Sequence, residues 1–160
     1  MSKLIVTGAL GHIGSRLIRD LPVHFPGREI VMIDNLCTQR YCALFDLPQG
    51  GRYRFLPLDI LSADLSTLIE ASDVVIHLAA ITDAANSFSN EEQVEKVNFD
   101  GTKVISAVCA EKGAKLVFLS TTSVYGTQKE VVDENCSDEE LAPQSPYAKS
   151  KLEAEKHLLA

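Results

Sequence analysis

Short runs of almost unbroken Val, Ile and Leu alternate with segments of helical spacing, and this alternation constrains the fold more than any other feature. The predicted strands are residues 3–7, 29–33, 53–58, 74–78 and 115–119. Strands this apolar are buried on both faces, which is typical of parallel sheets covered by helices. Right-handed crossovers then predict an α/β fold, a doubly wound parallel sheet of the Rossmann type with strand order 3-2-1-4-5.

Three segments between or after these strands have the spacing of helices. Residues 15–21 precede Pro22, where we expect the first helix to end. Residues 91–111 carry an apolar face and are followed by Gly113, where we expect the helix to end. Residues 146–159 follow Ser145, a predicted N-cap, and begin with proline in the favoured first position. The acidic segment 128–144 is predicted to be a solvated surface loop.

Charge and composition limit the classes of partner. The net charge of −7 and a pI near 5.0 disfavour nucleic acid, because binding to its phosphates needs a basic face. No apolar run is long enough to span a membrane, and the N-terminal residues do not resemble a signal peptide, so we expect a cytoplasmic protein. The four cysteines have no metal-binding spacing, which favours reduced thiols and no metal site.

The first strand leads into a glycine pattern, Gly8-x-x-Gly11-x-x-Gly14, that opens the first predicted helix. Gly8 would permit a tight turn, Gly11 a close backbone approach to a dinucleotide pyrophosphate, and Gly14 close helix–strand packing. The intervening His12 and Ile13 would offer mostly backbone groups. The alternative interpretation is a turn whose glycines serve packing alone.

Two acidic residues follow predicted strands. Asp34 comes 20 residues after Gly14, where a carboxylate accepts hydrogen bonds from an adenosine ribose and favours NAD over NADP. Alternatively, Asp34 caps a turn at Asn35-Leu36, and both roles can hold at once. Asp59, after the third strand, could accept from the adenine amino group or could equally be a turn residue.

Tyr147 and Lys151 are four residues apart, so on a helix their phenol and ammonium groups share one face. A nearby lysine cation favours the phenolate form of a tyrosine, which can then act as a general base on a hydroxyl group. Lys149 would face away from the phenol. A third hydroxyl is expected after the fifth strand, where the residues leave the choice open among Ser120, Thr121, Thr122 and Ser123.

The ordered set of motifs resembles the extended short-chain dehydrogenase/reductase family, in particular its NAD-dependent sugar epimerase/dehydratase group, of which UDP-glucose 4-epimerase is the type member. The resemblance covers the whole chain. It rests on TGALGHIG (7–14), VMIDNL (31–36), LDI (58–60), HLAA (77–80), NFDGT (98–102), LSTTSVYG (119–126) and SPYAKSK (145–151).

Carried over residue by residue, the resemblance implies a catalytic set and a cofactor-binding set. The catalytic residues would be Thr121, which is four residues before the Tyr of the VYG motif, with Tyr147 and Lys151. The cofactor-binding residues would be Gly8, Gly11, His12, Ile13, Gly14, Asp34, Asn35, Leu36, Asp59, Ile60, Leu78, Ala79, Ala80, Thr82, Asn98, Tyr147 and Lys151. Asn98 would brace the active-site strands through backbone contacts.

The resemblance implies NAD-dependent epimerisation of a nucleotide sugar through transient oxidation at a ring hydroxyl. A homodimer is the candidate assembly. The alternatives are a dehydrogenase or reductase of a sugar or other alcohol, and a non-catalytic NAD-binding module. The related dehydratases place Asp-Glu where this chain has Thr122-Ser123, which disfavours dehydration. Thr82 stands where the best-known galactose epimerases can carry a lysine, so the identity of the sugar is left open. Because the family continues beyond this length, we expect residues 1–160 to be one NAD-binding domain, truncated before the last strands and inactive without a C-terminal substrate domain.

Overall fold

The structure, a computed structural model, describes residues 2–127, 131–133 and 135–160. The chain divides into two compact units, which are described separately below. The first unit comprises Met1–Ala79 and Val104–Leu119, and the second comprises Ala80–Lys103 and Ser120–Ala160. The prediction that residues 1–160 form one NAD-binding domain stays a prediction.

The first unit contains a parallel sheet of five strands in the order β3-β2-β1-β4-β5. The strands are β1 (Leu4–Thr7), β2 (Glu29–Ile33), β3 (Arg52–Leu56), β4 (Val74–His77) and β5 (Lys115–Phe118). Both the α/β class and the predicted strand order are confirmed. Thr7 lies in register with Ile33 and His77, so the carboxyl ends of the three central strands meet at one edge of the sheet.

The described residues form four α-helices. Helix α1 (His12–His24) belongs to the first unit, as does most of α3 (Gly101–Lys112), whereas α2 (Glu91–Glu95) and α4 (Pro146–Leu159) belong to the second. The helix predicted at 91–111 is present as α2 and α3, joined by a π-helical turn at Lys96–Asp100. Gly113 follows α3 with φ +70°, a left-handed conformation that ends helices and suits glycine. The predicted bounds of α4 are confirmed.

The apolar core of the first unit lies on both faces of the sheet. Leu4 and Val6 of β1 pack with Ile18 and Leu21 of α1 on one face. Ile5, between them in sequence, points to the opposite face, whose core cluster includes Ile105 and Cys109 of α3. Successive strand residues point to opposite faces, so a strand covered on both sides must be apolar throughout.

Helix α1 does not end at Pro22 as predicted but continues to His24. Proline has no N–H to donate to the carbonyl four residues earlier, so it usually ends a helix or leaves that carbonyl without its partner. Here the carbonyl belongs to Ile18, and the hydroxyl of Tyr53 on β3 donates to it at 3.1 Å. A tertiary contact therefore replaces the lost bond, and the helix passes through the proline.

Strand β3 ends at Leu56, two residues before the predicted end. The next residue is Pro57, which cannot donate a backbone hydrogen bond to a neighbouring strand. The N–H of Leu58 instead bonds to the carbonyl of Leu56 at 2.9 Å, closing a turn. The other predicted strands agree with the structure to within one residue at each end.

The acidic segment 128–144 is described only in part, because residues 128–130 and Glu134 lie outside the described residues. Asp138–Glu140 forms a short 3₁₀ turn that begins with a capping box between Ser137 and Glu140. The carboxylate of Asp138 pairs with Lys156 of α4 at 2.7 Å. All three acidic residues of this turn are exposed, as expected for a surface loop.

Candidate functional site

The glycine-rich turn of the first unit leaves no room for a side chain at Gly8. Gly8 has φ +65°, and a Cβ atom there would lie 2.7 Å from the backbone nitrogen of Ala79. A Cβ at Gly14 would collide with the carbonyl oxygen of Gly8 and approach Ala9 Cα to 2.8 Å. The turn therefore needs glycine at both positions, one for its conformation and one for the packing of α1 against it.

Helix α1 begins directly after this turn, with Gly11 as its N-cap. The N–H groups of the first helical turn have no partners within the helix, and that turn carries no acidic side chain. The side chains of His12 and Ile13 are exposed, so this end of the helix presents backbone groups. Free N–H groups and the helix dipole together favour an anion such as a phosphate.

Sequence reasoning missed a buried hydrogen-bond cluster at Thr7. The Thr7 hydroxyl accepts from the backbone N–H groups of Leu78 and Ala79, both at 3.2 Å, and lies 2.7 Å from Nδ1 of His77. The cluster fixes the segment after β4 against the turn at Gly8. Its residues come from two of the motifs quoted above, TGALGHIG and HLAA, so the motifs contained the signal although their spacing did not reveal the contact.

Asp34 caps the turn after β2, as one of the two interpretations predicted. Its carboxylate accepts from the N–H of Leu36 at 2.9 Å and from the N–H of Leu10 in the glycine-rich turn at 3.0 Å. Leu36 itself is in the left-handed region with φ +61°, which is uncommon for a branched side chain. Each carboxylate oxygen can accept more than one hydrogen bond, so Asp34 keeps capacity for a ribose hydroxyl.

The structure brings Asp59 together with the residue that follows Asp34. The amide of Asn35 donates to Asp59 Oδ2 at 3.0 Å, and the N–H of Leu61 bonds to Oδ1 at 2.9 Å. Asp59 therefore serves the turn after β3, one of the two roles considered for it. Ile60 is part of the core, so it can offer only backbone groups to a ligand.

In the second unit, α4 presents the predicted pair of Tyr147 and Lys151. The hydroxyl of Ser145 accepts the N–H of Ala148 at 3.1 Å, which confirms the predicted N-cap. Tyr147 is half-buried, whereas the side chain of Lys151 is only 4% exposed. Burial lowers the pKa of Lys151 to about 8, and the carboxylate of Glu155 one turn later opposes this shift. At neutral pH Lys151 is therefore still mostly a cation.

The hydroxyl residues after β5 differ in their environments. Thr121 is half-buried and caps the 3₁₀ turn Thr122–Tyr125, with its hydroxyl accepting from the N–H of Ser123 at 3.2 Å. Thr122 and Ser123 are exposed. The Ser120 oxygen is buried and has no hydrogen-bond partner among the residues that the structure describes. Thr121 and Ser120 are therefore the two hydroxyls in protected surroundings.

Asn98 lies in the π-helical turn and is buried. Its side chain bonds to both backbone groups of Ile81: Oδ1 accepts from the N–H at 2.8 Å, and Nδ2 donates to the carbonyl at 3.0 Å. Ile81 lies between Ala80 and the exposed Thr82, two of the predicted cofactor-binding residues. Asn98 thus bonds to the backbone of Ile81, which follows β4. The brace of the active-site strands that the resemblance implies stays a prediction. π-Turns are frequent at functional sites.

The predicted residues consequently form two groups, one in each unit. The first unit contains the glycine-rich turn, Asp34 to Leu36, Asp59, Ile60, Leu78 and Ala79. One hydrogen bond joins Asp34 to the glycine-rich turn, and another joins Asn35 to Asp59. The second contains Ala80, Thr82, Asn98, Thr121, Tyr147 and Lys151. The described residues include no group of His, Cys, Asp and Glu that could hold a metal ion. None of the helices described here is long and apolar enough to cross a membrane.

A doubly wound sheet with a glycine-rich turn at the carboxyl end of β1 defines the class of dinucleotide-binding α/β proteins. Comparison with protein families identifies the family within this class. Residues 4–160 match the NAD dependent epimerase/dehydratase family, and the chain belongs to that family.

Individual relatives include both branches named in the family's description. The chain is 35% identical over 161 residues to a Bacillus subtilis (strain 168) protein described as an uncharacterized UDP-glucose epimerase, covering 96% of this chain and 50% of that protein. It is 32% identical to human dTDP-D-glucose 4,6-dehydratase, covering 96% of this chain and 45% of the dehydratase. The chain therefore spans about half the length of the curated relatives it matches.

Among solved structures, the chain resembles UDP-glucuronic acid 4-epimerase from Bacillus cereus in complex with UDP-glucuronic acid and NAD. The TM-score is 0.85 at 34% identity, and the match covers 98% of this chain and 50% of the epimerase chain. The match includes residues of both units.

Proposed function

We propose that this chain carries the cofactor-binding and catalytic residues of an NAD-dependent enzyme that epimerises a nucleotide sugar. The observation that carries the proposal is the second unit's arrangement of Thr121, Tyr147 and Lys151. Tyr147 and Lys151 are one helical turn apart on α4, and α4 packs against the turn that Thr121 caps. A phenol, a buried ammonium and a hydroxyl from neighbouring elements suit proton transfer to and from an alcohol.

The residues of the first unit suit NAD. The glycine-rich turn and the N-terminus of α1 offer backbone N–H groups and no acidic side chain to a pyrophosphate. Asp34 offers a carboxylate to the adenosine ribose, and two backbone bonds fix its position. A fixed carboxylate would repel the 2′-phosphate of NADP. We therefore propose NAD as the cofactor; when bound, it would accept a hydride from the sugar carbon and later return it.

The second unit supplies the proton chemistry. Tyr147, as the phenolate, would remove the proton of a ring hydroxyl, and Thr121 would donate a hydrogen bond to the same oxygen. Lys151, whose pKa of about 8 leaves it cationic at neutral pH, would favour the phenolate and bind a ribose hydroxyl. After the ring turns over, reduction of the ketone on its other face would invert the carbon centre, and Tyr147 would return the proton to the oxygen, so that neither proton nor cofactor is consumed.

Epimerisation is preferred over dehydration because of the residues after Thr121. Elimination of water from a sugar needs an additional acid and base, and the resemblance places Asp-Glu in the related dehydratases at these two positions. Here the positions hold Thr122 and Ser123, whose hydroxyls are exposed. Similarity to the human dehydratase therefore supports the shared oxidation step rather than the elimination.

The location and assembly of the protein are also proposals. We propose that it acts in the cytoplasm, where its four free cysteines would stay reduced. We propose in addition that it forms a homodimer, a state that sedimentation of the purified protein would show directly. A monomer at all concentrations would contradict the second proposal without affecting the catalytic one.

The cofactor assignment is tested by calorimetric titration of this chain with NAD and with NADP. We expect NAD to bind more tightly, and Asp34→Ala to weaken NAD binding by about 1.5–3 kcal/mol through loss of a charge-assisted hydrogen bond. Asp20→Ala is the matched control, because Asp20 is an acidic residue of the same unit whose carboxylate pairs with exposed Arg16. Equal or tighter binding of NADP would contradict the role of Asp34.

The reaction is tested in the longest product of the gene that encodes this chain, supplied with NAD and UDP-glucose, UDP-galactose or UDP-glucuronic acid. We expect interconversion of 4-epimers without net reduction of NAD. Tyr147→Phe should abolish turnover and leave NAD affinity nearly intact, whereas Tyr41→Phe, which removes an exposed hydroxyl, should have no effect. Stoichiometric accumulation of NADH would favour a dehydrogenase instead, and NAD binding with no reaction on any nucleotide sugar would favour a binding module.

A further inference from the structure

Asn98 uses all the hydrogen-bond donors of its side chain on two elements of the second unit. Besides its two bonds to Ile81, Nδ2 donates to the hydroxyl of Ser150 on α4 at 3.1 Å. The orientation of the amide follows from its partners, since the N–H of Ile81 can bond only to the oxygen. Both hydrogens of the Nδ2 group then have acceptors, one at Ile81 and one at Ser150.

Ser150 transmits this contact to the turn that carries Tyr147. Because its oxygen accepts from Asn98, its own hydrogen is free to donate, and it does so to the carbonyl of Tyr147 at 2.8 Å. In an α-helix that carbonyl also accepts the N–H four residues later, which belongs to Lys151. The Ser150 hydroxyl therefore bonds to the one peptide group of α4 that links both proposed catalytic residues.

This pair of side chains is almost completely removed from water. Asn98 is 1% exposed and Ser150 is 2% exposed. Serine in a helix interior is less favourable than alanine, since its hydroxyl competes for backbone groups. Ser150 therefore does not stabilise the helix by its intrinsic propensity. Its buried hydroxyl is explained by its hydrogen bonds to Asn98 and to the carbonyl of Tyr147.

We propose that Ser150 is a positioning residue: through Asn98 it fixes the first turn of α4, with Tyr147 and Lys151, relative to the backbone at Ile81. This inference rests on the proposed function, because it concerns how the catalytic residues of that function are held. Ile81 lies between the proposed cofactor-binding residues Ala80 and Thr82. Hydrogen bonds that run from Ile81 through Asn98 and Ser150 to the backbone of Tyr147 thus connect the proposed cofactor-lining segment of the second unit to its proposed proton-transfer residue.

The test compares Ser150→Ala with Lys149→Ala. Ser150→Ala removes only the hydroxyl and favours the helix, so the variant should fold. In the longest gene product we expect kcat for epimerisation to fall by about 10- to 100-fold, the range for a small misplacement of reacting groups, with KM and NAD affinity unchanged. Lys149→Ala changes the exposed neighbouring side chain and should match the wild type in all three quantities.

A second measurement needs neither cofactor nor turnover. Amide hydrogen exchange of this chain should show the N–H of Ile81 exchanging roughly 2- to 10-fold faster in Ser150→Ala, as expected when its partner Asn98 loses one hydrogen bond. Amides of α1 should be unchanged in this variant. Exchange in Lys149→Ala should equal that of the wild type throughout.

The two measurements separate this inference from the proposed function. Faster exchange at Ile81 together with reduced kcat supports the positioning role. Unchanged exchange, wild-type kcat, or a loss of NAD affinity as large as the loss of kcat would each overturn it. A wild type that binds NAD but turns over no nucleotide sugar contradicts the proposed function, and the exchange data then still decide whether Ser150 holds Ile81 through Asn98.

Discussion

At the scale of single residues, the candidate site contains buried polar groups that lower the stability of the fold. Lysine is rarely buried, since its charge loses its hydration, yet Lys151 is almost completely buried and its pKa is lowered to about 8. The Ser120 oxygen is likewise buried with no partner among the described residues. Groups of this kind cost stability and concentrate at functional sites, which supports the assignment of both segments to the reaction.

Replacing Lys151 tests this cost through its dependence on pH. The pKa of Lys151 is lower in the folded protein, about 8, than its ordinary value of 10.5. Between these values the unfolded chain binds more protons, so the free energy of unfolding should rise with pH, while below pH 8 the full penalty applies. Lys151→Met should therefore be more stable at pH 7 by on the order of 2–4 kcal/mol, a difference that disappears near pH 10.5.

Urea denaturation at a series of pH values measures this difference directly. Lys149→Met serves as the control, because its exposed side chain should give no pH-dependent difference from the wild type. A Lys151→Met variant that is no more stable than the wild type at pH 7, or equally favoured at pH 7 and pH 10.5, would show that burial of the ammonium is not costly.

At the scale of elements, α1 shows how a local signal is overridden by a neighbour. Pro22 should end the helix, but the Tyr53 hydroxyl bonds to the carbonyl that the proline leaves open. Burial also raises the pKa of Tyr53, which keeps its hydroxyl protonated as a donor. Helix α1 in turn packs its apolar residues on the sheet and presents its N-terminus next to the glycine-rich turn.

The contact between Tyr53 and α1 predicts a coupling that a double-mutant cycle can measure. Tyr53→Phe should lower the free energy of unfolding by about 1 kcal/mol, since it leaves the Ile18 carbonyl without a partner. In a Pro22→Ala background the same change should cost clearly less, because the alanine N–H then bonds to that carbonyl. The cycle is measured by chemical denaturation, with Tyr41→Phe as the exposed control. Additive effects of the two substitutions would show that Tyr53 and Pro22 are not coupled through the Ile18 carbonyl.

At the scale of the whole molecule, the sheet of the first unit has an exposed apolar edge. β5 pairs with β4, and no strand among the described residues pairs with its other side. Val117 of β5 is 50% exposed. An edge strand with an exposed apolar side chain is a template for association with another chain.

We therefore expect this chain to self-associate with rising concentration, and Val117→Lys to reduce the association, because a lysine on an edge strand opposes pairing. Val23→Lys is the matched control, since Val23 is an exposed valine on α1 and its replacement adds the same charge. Light scattering at increasing protein concentration measures the self-association of the two variants and of the wild type. An equal effect of both variants would attribute the change to net charge and not to the edge of β5.

Local signals in the sequence determined most of the fold. The apolar runs, the residue Ser145 before a proline and the glycine after α3 each act within a few residues, so the strands, their order and the bounds of α4 followed from them. The glycine spacing and the Tyr147–Lys151 spacing likewise defined the candidate residues, because a turn or one helical turn is enough to set their geometry.

The tertiary structure decided what depends on residues distant in sequence. Tyr53 extended α1 beyond Pro22, and Thr7 fixed the segment after β4. Asn98 bonded both to Ile81 and to Ser150, which is 52 positions after Asn98. The burial that lowers the pKa of Lys151 likewise depends on elements that pack against α4. Hydrogen bonds and burial between distant segments leave no periodic trace in a single sequence, since they exist only once packing has brought those segments together.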